Sequence, residues 1–72
     1  MKMSDRIERL KQSDEGKSRA MELFYFHSDS AEILSQLSEQ PNYGLLRFSV
    51  VMSEIYQQMA IDDQAKEDMN KA

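Results

Sequence analysis

His27 is the only histidine in the chain, and it stands between an aromatic run and the pair Ser28-Asp29. A lone imidazole in that position could act as a pH-sensitive group or couple to a carboxylate as an acid–base pair. The more ordinary role is a histidine ending an apolar element, bonded to a cap or to water. With one histidine and no cysteine, the donors of the usual nitrogen or sulfur metal centre are missing. No serine lies in a Gly-x-Ser-x-Gly nucleophile elbow, and Gly16 and Gly44 are isolated glycines rather than parts of a phosphate loop. Carboxylates do gather, at Asp62, Asp63, Glu67 and Asp68. On a helix Asp63 and Glu67 face the same way and could hold a divalent ion weakly, but no calcium-loop glycine or spacing accompanies them. A solvated acidic end is the expected role. No catalytic, cofactor-binding or metal-binding set emerges, and the expectation is a protein that is not an enzyme and takes no cofactor.

The elements that would carry these residues are short. Met3, Ile7 and Leu10 are spaced four and three apart, one narrow stripe of an amphipathic helix over 4–13. Ser4 is placed to cap it, and the stripe dies before Gly16, which reads as a helix stop. Residues 20–27, AMELFYFH, are ambiguous: four consecutive apolar side chains fit either a buried strand or a turn of helix that is apolar all round. Asp29 followed three residues later by Glu32 has the spacing of a capping box, opening a helix over 30–40 with Ile33, Leu34 and Leu37 on its apolar face. Pro41-Asn42-Tyr43-Gly44 reads as a turn. Beyond it Leu45, Phe48, Met52, Ile55 and Met59 recur at steps of three and four, an amphipathic helix over 45–61. The remainder, 62–72, is expected to be an acidic tail, either a solvated helical extension or disordered.

These pieces make one small all-α domain of 72 residues. A helical hairpin of 30–40 and 45–61 forms with 20–29 an apolar core region over 20–61, and 1–19 is a weakly packed N-terminal helix. A domain of this size buries only about 60% of its unfolded surface, which leaves little mass to wall a catalytic cleft. Charge is divided unevenly. Residues 1–19 hold six basic and four acidic groups, net +2, and the rest hold three basic and nine acidic groups, net −6. An acidic body disfavours phosphate-backbone binding, whose affinity comes from lysine and arginine displacing counterions. Aromatic side chains able to stack on bases are present, but Arg47 is the only basic residue between Ala20 and Gln64. No apolar run approaches the ~20 residues that span a bilayer, and no signal-peptide pattern opens the chain. The cytoplasm is the default location.

The physical core of the functional expectation is an excess of apolar faces. If 23–26 is helical it is apolar nearly all round, and Leu46 and Val50 lie beyond the main stripe of the last helix. The six methionines are expected mostly in the core, although methionine also suits adaptable binding faces. Two short helices folded together cover one stripe each, so a second copy, another protein, or both would cover the rest. The expected contact surface is Phe24, Tyr25, Leu45, Phe48, Met52, Ile55, Tyr56 and Met59. The expected function is a helical protein–protein interaction protein (a regulator, inhibitor or assembly factor) with an apolar, acid-rimmed surface, completed by dimerisation or by a partner. A second reading starts from the order of an aromatic segment at 21–27, a helix at 30–40, the Pro-Asn-Tyr-Gly turn and a helix at 45–59. That order resembles the ribbon-helix-helix repressors and plasmid-partition proteins over 19–60. The resemblance implies a strand at 21–27 and a DNA-binding dimer whose paired strands enter the major groove.

Overall fold

The computed structural model describes residues 2–70, in four helices: α1 (Met3–Gln12), α2 (Asp14–Tyr25), α3 (Ser30–Glu39) and α4 (Pro41–Asn70). The expected all-α class is observed, and no strand forms among the described residues. α4 is the spine. Its 30 residues span about 45 Å at 1.5 Å per residue. α3 packs against α4, α1 lies against both α2 and α4, and α2 touches α4 and, more lightly, α3. The molecule is accordingly long, 49 × 20 × 18 Å. Its radius of gyration is 14.0 Å, against roughly 11 Å for a compact chain of this size.

Each link between helices has a local cause. Ser13 has extended backbone angles and joins α1 to α2 alone. Its own N–H donates to the Arg9 carbonyl, closing α1, while its Oγ accepts from the N–H of Gly16, capping α2. Asp14 and Glu15 in the first turn add favourable charge at that helix end. Gly16 is therefore not a stop. It lies inside α2, where a Cβ would run into the carbonyl oxygen of Leu10. Glycine is what lets α1 and α2 cross this closely. Ser4 likewise is no cap: it sits within the first turn of α1, whose N-cap Lys2 makes no side-chain bond.

The aromatic segment is helical, which overturns the strand at 21–27 and with it the structural basis of the ribbon-helix-helix resemblance. The cap at Ser13 starts a helix that runs unbroken through Tyr25. It stops where His27, Ser28 and Asp29 make a compact connection. There the Asp29 N–H donates to Nδ1 of His27 at 3.0 Å, and the Ser30 hydroxyl donates to the carbonyl of Tyr25 at 3.3 Å. The Asp29–Glu32 capping box does not form: Asp29 is the N-cap of α3 but makes no side-chain cap bond. Both carboxylates turn instead to Arg47 of α4, with Glu32 at 3.0 Å and Asp29 at 3.7 Å.

Pro41-Asn42-Tyr43-Gly44 is also not a free turn. Gln40 alone leaves the helical region, and Pro41 is the first residue of α4. Proline at that position lacks only an N–H that would have no helical partner, and it keeps Gln40 out of the α conformation. Gly44, in the first turn of α4, is buried against α3; a Cβ there would lie 2.6 Å from the carbonyl carbon of Gln36 and 2.7 Å from the Cα of Leu37. At the other end α4 continues through the acidic segment to Asn70, so 62–70 is helix. Lys71 and Ala72 lie outside the described residues.

The core is formed by Ala20 and Phe24 from α2, Ile33 from α3, and Val51, Ile55, Tyr56 and Met59 from α4. Ile7, Leu10, Met21, Leu37, Phe48 and Met52 pack around it. Phe24 is fully enclosed, with its ring edge-on to Phe48 at 5.0 Å between centroids.

Candidate interaction surface

The residues expected to form the contact surface divide in two. Phe24, Ile55, Tyr56 and Met59 are buried inside this single chain, and Phe48 and Met52 are half-buried against them. Tyr25 and Leu45 are exposed. From Phe48 onward the regular three-and-four spacing of α4 is thus used within the chain, against α1, α2 and α3, while Leu45 at its start is not.

Further exposed apolar side chains lie outside that spacing. Phe26 is 82% exposed, Leu46 61%, Val50 51% and Leu23 46%. They flank two clefts. One, of about 390 Å³, lies between the α2–α3 connection and α4, and is lined by Leu46, Val50 and Val51 together with Asp29, Arg47 and Glu54. His27 also lines it. The other, of about 400 Å³, lies between α2 and α4, and is lined by Leu23, Phe26 and Met59 with Arg19, Glu22 and Asp62. Both open beside α4, one nearer its first half and the other nearer its second. Arg47, Val51, Glu54, Gln58 and Asp62 follow one another at steps of four, three, four and four, a single row along α4.

Why these residues remain exposed follows from helix geometry. Successive side chains of a helix point about 100° apart, so a run of four apolar residues cannot share one face. Of Leu23, Phe24, Tyr25 and Phe26, only Phe24 reaches the core. Leu46 and Val50 stand one turn apart on the flank of α4 that α3 leaves uncovered. The available signal was their position off the main stripe, which marks them as surplus without saying which side of the molecule gathers them.

The charges beside the clefts are unequal in availability. Both arginines are committed within the chain. Arg47 is held by Glu32, Asp29 and the side-chain oxygen of Gln36 at 2.9 Å, and Arg19 faces Asp63 at 3.6 Å. Glu22, Glu54 and Asp62 have no cationic partner among the described residues; Asp62 accepts only from Gln58, at 3.0 Å. The acidic segment of α4 is partly structural as well: Asp63 meets Arg19, and Glu67 meets Arg6 of α1. Among the described residues no group of three His, Cys, Asp or Glu side chains is arranged to hold a metal ion. No helix of those residues is long and apolar enough to cross a membrane.

Compared with known proteins, the chain matches no family model, no curated protein and no solved structure.

Proposed function

We propose that this chain is a non-enzymatic helical interaction protein, and that the side of α2 and α4 bearing Leu23, Phe26, Leu46 and Val50 is where it takes hold of another polypeptide. One observation carries the reading. A chain that already has its own core also leaves a phenylalanine, two leucines and a valine exposed around two clefts beside α4. Grouped apolar surface rimmed by polar groups is characteristic of protein-binding sites, whereas scattered single residues are not. Covering each of these side chains fully would contribute roughly 1.5–3 kcal/mol relative to exposure, before the costs of association.

The test is a photo-reactive amino acid placed at Val50 or Phe26, and in a control at the exposed Ser35 of α3, each expressed in the native host. Discrete adducts from Val50 and Phe26 but not from Ser35 are the expected result. Adducts of twice the chain mass identify a second copy, and heavier ones a different protein. No adducts at either apolar position, or the same pattern from all three, would overturn the proposal.

A further inference from the structure

We infer that the partner is a basic amphipathic helix of about four turns, lying along the row Arg47 to Asp62 and placing one apolar anchor in each cleft. This rests on the interaction reading above and specifies its occupant. Three observations support it.

The first is charge. Glu22, Glu54 and Asp62 rim the clefts without cationic partners among the described residues, while Arg19 and Arg47 are already engaged by Asp63, Asp29 and Glu32. The side therefore presents uncompensated negative charge around apolar floors. A partner that seats lysine or arginine beside its apolar anchors neutralises that charge. A second copy applying the same side would bring a second set of the same acids, and like charges facing each other oppose association.

The second is spacing. The α4 residues lining the first cleft centre near position 50 and those lining the second near 60, roughly 15 Å apart along the helix at 1.5 Å per residue. A helix lying alongside bridges that distance in about ten residues, with anchors at i, i+3, i+7 and i+10 on one face.

The third is the backbone. An extended peptide gains affinity by pairing with a sheet edge, and no strand exists among the described residues to offer one. A helical partner satisfies its own N–H and C=O groups and needs only side-chain contacts.

The experiment uses the full chain and a capped, fluorescent peptide of about 18 residues, with leucine at i, i+3, i+7 and i+10 and lysine on the flanking positions. A matched peptide carries glutamate in place of lysine. Anisotropy titration is expected to show the lysine peptide binding about tenfold tighter or better, with the preference shrinking as salt is raised. The triple variant Glu22→Lys, Glu54→Lys, Asp62→Lys is expected to reverse that preference, and Glu39→Lys on α3 to leave it unchanged. Phe26→Ser with Val50→Ser keeps the charge and removes the anchors; it is expected to weaken binding by about tenfold. All the substituted positions are exposed, and circular dichroism checks the helical content of each variant. Equal affinity for both peptides, or no affinity for either, overturns the basic helix while leaving the cross-linking result to decide the interaction reading. Undiminished binding to the Phe26/Val50 variant overturns it too, as attraction by charge alone. A stable dimer in analytical ultracentrifugation that Phe26→Ser with Val50→Ser dissociates would assign the side to a second copy instead.

Discussion

Gly44 shows how one residue's role changes when its neighbours are known. In sequence it belongs with Pro41 and Asn42 as turn chemistry; in the structure it has no positive φ and sits in the first turn of α4, pressed against the backbone of α3. Alanine in place of a helical glycine ordinarily stabilises by up to about 1 kcal/mol. Here the added methyl would meet Gln36 and Leu37 main-chain atoms that cannot swing aside. Gly44→Ala is therefore expected to destabilise, by about 1–3 kcal/mol, as overpacking does. A urea melt showing a stabilised variant would mean that α3 and α4 can separate freely there. His27 had also invited a chemical role. Its Nδ1 instead accepts the Asp29 N–H and helps to shape the connection into α3.

Among the elements, α1 and α4 stand at opposite extremes. α1 has no buried residue, and besides the half-buried Ile7 and Leu10 it is tied down by the ion pair of Arg6 with Glu67. The Arg6 side chain is only 12% exposed and its Nε has no partner, so its hold depends on Glu67. Glu67→Gln keeps an acceptor for Arg6 but removes the charge, and is expected to speed hydrogen exchange in α1 by up to about fivefold, the equivalent of about 1 kcal/mol. Amides around Val51 to Met59 in the middle of α4 are expected to keep their protection. Uniform acceleration along the chain would show that α1 opens only with the whole fold. Much at this scale was legible beforehand. The stripe Met3, Ile7 and Leu10 marked α1 as thinly apolar, and the long stripe from Leu45 marked α4, because 3.6-residue periodicity is a property of the local chain. The boundaries were less legible. Ser4, Pro41 and two glycines each had two local meanings, and for Gly16 and Gly44 contact with another helix chose between them.

For the whole molecule, the excess of apolar side chains is real, but its location was set by packing. The chain's total stability is small, on the order of 4–10 kcal/mol at 0.05–0.15 kcal/mol per residue. Phe24, enclosed by α2, α3 and α4 core residues, is a large part of it. Phe24→Ala is expected to cost about 3–5 kcal/mol, enough to leave a substantial unfolded population in a thermal melt. A loss under about 1 kcal/mol would mean that the core closes over the gap. Composition and periodicity determined the helical class, the acidic charge and the surplus of apolar residues, because these depend on residue type and on neighbours along the chain. Whether residues 20–27 formed strand or helix, which aromatic turned inward, and that Phe26 and Val50 rather than Phe24 and Ile55 face outward were decided in three dimensions. Those outcomes depend on which helix faces compete for the same limited interior, and that competition is between segments distant in sequence.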